Sequence, residues 1–520
     1  MSWGCSPEAS ERQTTRALAL GTEVVVDATT QHQPIVGFGA SSAWTFQNAG
    51  QVRADQLFSK ESGLGLSLLR LRIAPDGTTW ERATALQAQE RGAAVWAAPW
   101  SPPGAWKTSG TDENGGSLLP EYYQAWADRL ADFVEDCEAR GIHLVALSAQ
   151  NEPDWVADWE TCEWTPEALA IFIGDYLAPA LAERGLSTKI MGPESANWDS
   201  FPDYADAILD YPAARDATDI LATHAYGGSA IRYPRAAESG KQIWETEMSW
   251  GGDPDLGITT GLMMARMMHT HLTLTEVNAW HFWWFHPEGT NAGSLYNNNQ
   301  LTKKAYVLGN FARFVRPGAV RIDAAPDTAG SVNVTAYRND ADGPLVVVAV
   351  NSDTVPRPLD VRLNGEGDQV RFFQPFVTDE TRNLAAESHV AVTSHAFDYE
   401  LAPQSVTTFL SSASAPDPGT GGTGGTSSVP DGGGPAWGGA AGASGEGGAS
   451  SGGGPSEAPG GGGKPKPGGR EPEPLPETPS VACVCRSAGG STSSGNQAAW
   501  LSVAGLLAAL VHRRLRRSAA

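Results

Sequence analysis

Short apolar runs alternate with amphipathic stretches through the first 315 residues of the chain. The runs lack strict polar alternation, which is typical of strands that are buried on both faces of a parallel sheet. They lie at 36–42, 67–73, 94–100, 144–152, 189–194, 220–226, 242–248 and 277–284. Eight such strands separated by helices predict an α/β fold, a (β/α)8 barrel over residues 36–315.

The amphipathic stretches between these runs predict the helices of the barrel. The stretch 120–140 opens with a proline, which favours a helix start, and 166–184 and 259–273 follow the same apolar spacing. The pattern is weaker at 52–60 and 204–210. A last helix, within 301–315, closes the predicted barrel.

After the predicted barrel, the sequence pattern changes to short runs rich in β-branched residues, separated by Asn, Asp and Gly turns. These runs lie at 320–322, 331–337, 345–351, 359–363, 370–376, 389–392 and 405–411. They predict an antiparallel β-sandwich over residues 316–411. We expect the segment 21–35, with a β-branched run at 22–26, to join this sandwich against the side of the barrel.

The two ends of the chain differ from the rest. Residues 1–20 are polar and show no apolar run after a basic start, so we see no signal peptide in them. Residues 412–480 are rich in Gly, Ser and Pro and predict a flexible linker. The segment 481–520 holds two cysteines, a short apolar run at 498–511 and four arginines.

Charge and cysteine content exclude several classes of function. The formal net charge is −23, with no basic stripe in the globular part, which argues against nucleic acid or an anionic membrane as the partner. Eighteen tryptophans suit a neutral polysaccharide, since indole faces pack well on sugar rings.

Of the five cysteines, Cys137 and Cys162 are expected at opposite ends of the barrel and unbridged. No metal-ligand spacing occurs, so neither zinc nor another metal is expected.

Two of the predicted strands end on acidic side chains. The run 144–152 ends with Asn151 and Glu152, and the run 242–248 carries Glu247 near its end. Because carboxyl ends of barrel strands meet at one rim, these two carboxyl groups are expected to face each other there. Glycoside hydrolysis with retention requires such a pair about 5–5.5 Å apart. Glu245 lies on the same strand face as Glu247, which is favoured because it is nearer the rim.

An ordered series of motifs resembles glycoside hydrolase family 30. The matching segments are GFGASSAW at 37–44, LRLRI at 69–73, APWSPP at 98–103, QNEP at 150–153, GPE at 192–194, THAY at 223–226, WETE at 244–247, AWHFWW at 279–284, FVRPG at 314–318 and PQSVTTF at 403–409. The resemblance covers residues 20–411 and implies a barrel with a side β-sandwich. It implies Glu152 as acid/base, Glu247 as nucleophile, and no metal or cofactor.

Other strand-end residues are candidates for binding substrate. Asn151 is placed to bind the sugar 2-hydroxyl, and Tyr226 to hydrogen-bond the nucleophile and keep it ionised. Arg72 either supports the same charge or forms an ion pair inside the barrel. The aromatic candidates for stacking on sugar are Trp44, Trp100, Trp283 and Trp284, with Trp155, Trp159 and Trp164 either forming outer subsites or closing the barrel top. His224 is expected to pack or to hydrogen-bond within the barrel and not to act as a catalyst, because two carboxyl groups complete the mechanism.

The substrate prediction follows from the resemblance to the bacterial xylanase branch of the family. The loop 285–294, where glucuronoxylan-specific members carry an arginine clamp, contains an acid and no Arg, which argues against dependence on glucuronate. We expect a monomeric retaining endo-β-glycanase acting on β-1,4-xylan. β-1,6-Glucanase, β-1,6-galactanase and glucosylceramidase activities stay open, as does a surface protein that binds polysaccharide without cleaving it.

The last 40 or so residues resemble the C-terminal sorting tail of myxobacterial surface proteins, with a Cys motif, an apolar segment and terminal arginines. Fourteen apolar residues are short for a membrane span of about 20. The resemblance implies an exported protein at the cell surface or outer membrane, in contact with membrane only through this tail. Because no export signal precedes the domain, our hypothesis is that the true start of the protein lies upstream.

Overall fold

The computed structural model describes residues 22–250, 256–340, 343–365 and 370–413. The predicted N-terminal segment 1–20, the linker from residue 414 onward and the tail 481–520 lie outside the described residues. The interpretations of those segments therefore stay predictions.

The first strand after the N-terminal segment, β1 (Thr22–Pro34), belongs to the sandwich, and the barrel begins after it. Eight parallel strands form a closed barrel in chain order. They are β2 (Gly37–Ser41), β3 (Leu68–Ile73), β4 (Ala94–Pro99), β5 (Leu144–Ser148), β6 (Lys189–Ser195), β7 (Thr218–His224), β8 (Gln242–Glu247) and β9 (Ala279–Trp284). The predicted (β/α)8 barrel with an attached β-sandwich is confirmed.

The barrel strands are buried on both faces, which explains their lack of polar alternation. Inward-facing side chains, among them Leu68, Trp96, Met191 and Trp244, fill the barrel as one cluster. Trp96 donates its indole N–H to His281 Nε2 at 3.1 Å, so its polar atom is satisfied at the centre. The outward-facing side chains pack against the surrounding helices.

Helices follow most of the barrel strands and pack on their outer face. They are α1 (Gln51–Phe58), α2 (Arg82–Gln89), α3 (Tyr123–Ala139), α4 (Pro166–Ile171), α5 (Ala178–Glu183), α6 (Phe201–Asp210), α7 (Pro212–Ala217), α8 (Pro234–Glu238), α9 (Ile258–Thr273) and α10 (Lys303–Ala312), with short 3-10 turns at Gly104–Trp106 and Pro120–Tyr122. The predicted helix 166–184 is interrupted by a π-helical turn at Phe172–Leu177. Pro179 follows this turn and lacks the N–H that a regular α-helix would use there.

The remaining strands form a hairpin and the sandwich. The hairpin strands are β10 (Tyr296–Asn297) and β11 (Gln300–Leu301). The sandwich strands are β12 (Val320–Ala325), β13 (Thr328–Ala329), β14 (Val332–Arg338), β15 (Leu345–Asn351), β16 (Arg357–Asn364), β17 (Phe372–Thr378), β18 (Ala385–Ala386), β19 (Val390–Ala391), β20 (Ala396–Leu401) and β21 (Ser405–Ser412). β1 lies within the segment 21–35 that is expected to join the sandwich and extends beyond its β-branched run at 22–26, whereas β20 has no counterpart among the predicted runs.

Strand β1 lies inside the sandwich sheet, between two strands that come much later in the chain. It pairs antiparallel with β12 and parallel with β16. Its Val24 and Val26 side chains are fully buried in the sandwich core. The N-terminal strand and the C-terminal third of the chain therefore form one sheet.

The sandwich packs on the barrel through α10. Phe314, just after this helix, stacks on Phe376 of β17 with ring centroids 4.5 Å apart. Asn310 donates to the Phe376 carbonyl at 3.1 Å and to Thr408 Oγ1 at the same distance. The main hydrophobic core is continuous across this contact, and it includes Val348 of the sandwich.

Two further sequence expectations concern cysteines and membrane spans. Cys137 and Cys162 are both buried and unbridged. Among the described residues, no helix has the length and apolar character that crossing a membrane requires. The apolar run 498–511 lies outside that part of the chain.

Candidate active site

The first carboxyl group of the predicted pair lies beyond the end of its strand. β5 ends at Ser148, not at residue 152 as predicted, because the Gln150 side chain donates to the carbonyls of Trp100 and Asn151 and turns the chain. Glu152 has a φ of 46°, a left-handed conformation that is costly for a residue with a Cβ. Its backbone N–H is fixed by the Glu194 carbonyl at 2.9 Å. The strained turn aims the carboxyl group at the barrel axis.

The second carboxyl group, Glu247, ends β8 and faces the first. One carboxylate oxygen of Glu152, one of Glu247 and a ring nitrogen of His224 all lie within 4.8 Å of one another. The side chains of Glu152 and Glu247 are nearly buried but open into the same cavity. The tertiary structure therefore brings together two groups that are 95 residues apart in sequence.

Arg70 of β3 is the residue that the sequence analysis missed. Its buried guanidinium contacts a Glu247 oxygen through Nη1, and Nη2 lies 2.7 Å from Glu194 Oε1. Nη2 also donates to Asn151 Oδ1. The guanidinium carbon lies 4.4 Å from the centre of the Trp100 ring, a cation–π contact. Arg70 thus holds both the predicted nucleophile and the predicted sugar-binding amide.

Arg72 does not contact Glu247, so it does not have the first of its two predicted roles. Its guanidinium forms a bidentate ion pair with Glu160 in the loop after β5, with Nε 2.8 Å from Oε2. The same group lies 4.9 Å from the centre of the Trp44 ring. Arg70 and Arg72 share one strand face, but Arg72 is nearer the rim, where Glu160 attracts it away from the barrel axis.

His224 of β7 lies between the carboxyl groups at the base of the site. Nδ1 is 3.0 Å from Glu152 Oε1, and Nε2 is 3.4 Å from Glu194 Oε1. Burial by itself lowers the pKa of His224, but the Glu247, Glu152 and Glu194 carboxyl groups outweigh burial and raise the pKa to about 10. His224 is therefore an imidazolium at neutral pH.

Glu194 on β6 balances part of this positive charge. Burial by itself would raise the pKa of Glu194, yet the Arg70 and His224 cations lower the pKa below its usual value. Glu194 also has a left-handed backbone, with a φ of 59°. Glu194 and Glu247 thus provide the two carboxyl groups that contact the buried Arg70 guanidinium.

Glu247 differs from Glu152 in its hydrogen-bond donors. Burial raises the pKa of Glu247, while the His224 and Arg70 cations and the Tyr226 hydroxyl oppose this effect. Tyr226 donates to Glu247 Oε1 at 2.8 Å. Burial and the nearby Glu247 raise the pKa of Tyr226 well above its ordinary value, so the hydroxyl stays a donor. Glu152 accepts only from His224 among the side chains of the described residues.

Glu245, the alternative to Glu247, is directed elsewhere. One of its oxygens accepts the backbone N–H of His281 at 3.0 Å, and the side chain is fully buried inside the barrel. Burial raises the pKa of Glu245 well above its ordinary value. It does not line the cavity that Glu152 and Glu247 share.

The cavity at the rim has a volume of about 710 Å³ and walls that are mostly aromatic. Its lining residues are Trp44, Trp100, Glu152, Trp155, Trp159, Ala196, Asn197, Tyr226, Glu247, Ser249, Trp283 and Trp284. Trp100 touches Trp44 edge-on at 5.0 Å, and Trp283 stacks on Trp284 at 5.6 Å between ring centroids. All four predicted aromatic candidates thus meet at one wall.

Other predicted residues lie away from the cavity surface. Asn151 sits beneath Glu152, bonded to Arg70. Trp164 is buried, donates to Gln150 and packs on Tyr123 and Phe172, so it closes the barrel top and does not line the cavity.

Glu152, His224 and Glu247 are close enough to share a metal ion by distance alone. The charges and hydrogen bonds point to a different use. Both ring nitrogens of His224 face carboxylates, and the Arg70 guanidinium occupies the inner side of Glu247. A cationic imidazolium has no lone pair for a metal. Hydrogen bonds and ion pairs within the protein therefore already occupy these three side chains.

Two family models match this chain. The glycosyl hydrolase family 30 TIM-barrel domain matches residues 78–251, and the glycosyl hydrolase family 30 beta sandwich domain matches residues 318–409. Together they cover the strands that carry Glu152 and Glu247 and most of the sandwich.

Individual relatives agree with the family models. Glucuronoxylanase XynC of Bacillus subtilis (strain 168) is 30% identical over 75% of this chain and 92% of its own length. The structure of the glycoside hydrolase family 30 subfamily 8 xylanase Xyn30A from Clostridium acetobutylicum superimposes with a TM-score of 0.68 and 34% identity, covering 75% of this chain and 99% of that one. Lysosomal acid glucosylceramidase of Mus musculus is 25% identical over 50% of this chain and 56% of its length.

Proposed function

Since the chain belongs to glycosyl hydrolase family 30 and is a glycoside hydrolase, we propose that it cleaves β-1,4-xylan internally, with retention of anomeric configuration. The observation that carries the proposal is the carboxyl pair Glu152 and Glu247, whose nearest oxygens lie within 4.8 Å. Retaining enzymes hold this pair about 5–5.5 Å apart, whereas inverting enzymes need about 6.5–9.5 Å to admit a water.

The proposed reaction has two displacements. In the first, the Glu247 carboxylate attacks the anomeric carbon while Glu152 donates its proton to the departing glycosidic oxygen. In the second, Glu152 takes a proton from a water that attacks the same carbon, and Glu247 leaves as a carboxylate. Each carboxyl group returns to its starting charge.

The surroundings of the two carboxyl groups support this division of roles. Arg70 and Tyr226 both donate to Glu247, so they stabilise it as an anion and hold it in position for attack. Among the described side chains, Glu152 has a hydrogen-bond partner only in His224, and it lines the same cavity as Glu247. We therefore assign the role of nucleophile to Glu247 and the role of acid/base to Glu152.

The cavity lining favours a neutral glycan over a charged one. Among the described residues that line it, the ionisable side chains at neutral pH are Glu152 and Glu247, with no lysine or arginine. The relative from Bacillus subtilis is called a glucuronoxylanase, but a carboxylate substituent would find no cation in this cavity. We therefore propose unsubstituted xylan as substrate, independent of glucuronate.

The glucosylceramidase alternative rests on more distant relatives. A ceramide substrate needs an apolar surface for its chains, and the exposed Trp155 and Trp159 beside the cavity offer one. Their indole N–H groups and flat faces suit sugar rings at least as well. β-1,6-Linked glucan and galactan differ from xylan in linkage and are separated by the product screen below.

The test is product analysis of the full chain on glucuronoxylan, unsubstituted xylan, β-1,6-glucan, β-1,6-galactan and glucosylceramide, with proton NMR of the first product formed. We expect xylo-oligosaccharides from plain xylan, released first as the β-anomer. Glu247→Gln should lower kcat by about 10⁴-fold or more, since the covalent step is lost.

The matched control is Glu245→Gln, two residues earlier on the same strand, which should keep most of the activity because that side chain does not line the cavity. An α-anomer as first product would contradict retention. Activity on only one of the other glycans would keep the mechanism and replace the substrate. Binding to xylan without turnover would favour the non-catalytic alternative.

A further inference from the structure

Two exposed tryptophans distinguish the loop between β5 and α4. Trp155 and Trp159 are 52% and 51% exposed, although the same loop buries Cys162 and Trp164. Both exposed indoles line the cavity that holds Glu152 and Glu247. The loop therefore keeps one face packed and presents two large aromatic faces to the cavity.

The loop is held in place by contacts to the neighbouring elements. Glu160, next to Trp159, forms the bidentate ion pair with Arg72 of β3. The ammonium of Lys107, which is almost completely buried, donates to the Thr161 carbonyl. Thr161 Oγ1 in turn donates to the Trp155 carbonyl at 2.8 Å. The indoles are thus presented on a fixed support, which reduces the entropy that binding would cost.

The position of the loop indicates which side of the cleaved glycosidic bond the two indoles face. Glu152 lies in the loop that carries them, whereas Trp283 and Trp284 are the last two residues of β9, the strand that pairs with the Glu247 strand β8. A proton donor must face the oxygen of the leaving group. The part of the glycan that departs therefore lies towards the loop that follows Glu152.

We propose that Trp155 and Trp159 form a platform for the sugar unit on the leaving-group side of the cleaved bond. This leaving-group platform rests on the proposed function and extends it by naming a second binding surface. Its occupant is a neutral pyranose ring, whose C–H face packs on an indole. An anionic occupant is disfavoured because the described residues that line the cavity include no lysine or arginine.

The platform also has a consequence for the second displacement. A sugar acceptor bound there presents its hydroxyl to the anomeric carbon of the glycosyl-enzyme in place of water. The acceptor oxygen bonds to that carbon, Glu152 takes the hydroxyl proton, and the Glu247 ester bond breaks to return a carboxylate. The platform therefore supports transfer to sugar as well as hydrolysis.

The experiment compares Trp155→Ala, Trp159→Ala and the double variant with wild type on two substrates. Xylohexaose places sugar on both sides of the cleaved bond, whereas β-xylobiosyl fluoride has a leaving group that needs neither a platform nor a proton. For xylohexaose, kcat/KM should fall about tenfold for each truncated indole. For the fluoride, kcat/KM should change less than about twofold. Transfer to added xylobiose should fall relative to hydrolysis.

Trp80→Ala is the matched control, because Trp80 is 49% exposed at the same end of the barrel but does not line the cavity. It should leave both substrates and the transfer ratio unchanged. Equal losses on both substrates in the loop variants would contradict the platform and indicate a structural role. A loss in the Trp80 variant as large as in the loop variants would also overturn it.

The design separates failure of the platform from failure of the proposed substrate. If the product screen identifies another glycan, the comparison is made with its oligosaccharide and its glycosyl fluoride, and the same difference is expected. Wild-type protein that turns over no glycan would overturn the proposed function and the platform with it.

Discussion

At the residue scale, the two arginines of β3 illustrate how position within a barrel decides a role. Arg70 and Arg72 are separated by one residue and point to the same face of the strand. Arg70 reaches Glu247, Glu194 and Asn151, whereas Arg72 is drawn to Glu160 in the loop above. Because a buried guanidinium is stable only with carboxylate partners, the partners determine each role.

His224 gives a residue-scale prediction for pH. Its folded-state pKa of about 10 lies above the ordinary value of 6.5, so the folded state binds the proton more tightly than the unfolded chain. Its contribution to stability is complete below pH 6.5 and is lost as the pH rises towards 10. In denaturant titrations of the full chain at pH 6, 8 and 9.5, His224→Gln should show a smaller decline in the free energy of unfolding than wild type.

His269→Gln is the control for this prediction. Burial lowers the pKa of His269 to about 4, so this residue is neutral throughout the same pH range. The variant should keep the wild-type decline between pH 6 and 9.5. A His224 variant with the full wild-type decline would show that other groups cause it.

At the scale of elements, β1 connects the beginning of the chain to its C-terminal third. It separates β12 from β16 in the sheet, and without it both strands would expose an unpaired edge. It also ends at Pro34, and the next backbone N–H, of Ile35, bonds to the Ala319 carbonyl at 2.6 Å. The strand thus fixes the sandwich beside the start of the barrel.

Removal of β1 should therefore abolish stable folding of the sandwich. We expect a fragment of residues 36–413 to lack the cooperative denaturant transition, by far-UV circular dichroism, that residues 22–413 show. A milder change, Val26→Ala, should lower the free energy of unfolding by about 2 kcal/mol through loss of buried methyl groups. A 36–413 fragment with an unchanged midpoint would contradict this role for β1.

At the scale of the whole molecule, the barrel and the sandwich share one hydrophobic core. Phe314 and Phe376 stack across their contact, and Asn310 bonds to two sandwich strands. Between residues 22 and 413 every tryptophan lies in 44–284, so the tryptophan fluorescence of a fragment of residues 22–413 reports on the barrel alone. The two parts are therefore expected to unfold together.

A substitution deep in the sandwich tests this coupling. Phe373 is fully buried and packs on Phe397 and Phe409, far from any tryptophan in sequence. Phe373→Ala should cost about 3–5 kcal/mol and shift the barrel's fluorescence transition by the same amount as the circular dichroism transition. A fluorescence midpoint that stays at the wild-type value would mean that the barrel unfolds independently.

The sequence by itself determined the barrel, the sandwich and the pair Glu152 and Glu247. Strands that are buried on both faces can be recognised from short apolar runs in the sequence. Carboxyl groups at the ends of such runs can be recognised in the same way. Boundaries were less certain: β5 was predicted to reach residue 152, and β20 was missed because its buried positions alternate with exposed polar ones over only six residues.

Only the tertiary structure decided which charges meet. Arg70, Glu194 and His224 come from three different strands, and no spacing along the chain relates them to Glu247. The same holds for Trp155 and Trp159, whose exposure depends on the ion pair between Glu160 and Arg72 and on the buried Lys107. Local patterns fix which strands form, whereas electrostatic partners depend on barrel closure, which brings distant strand ends within a few ångströms.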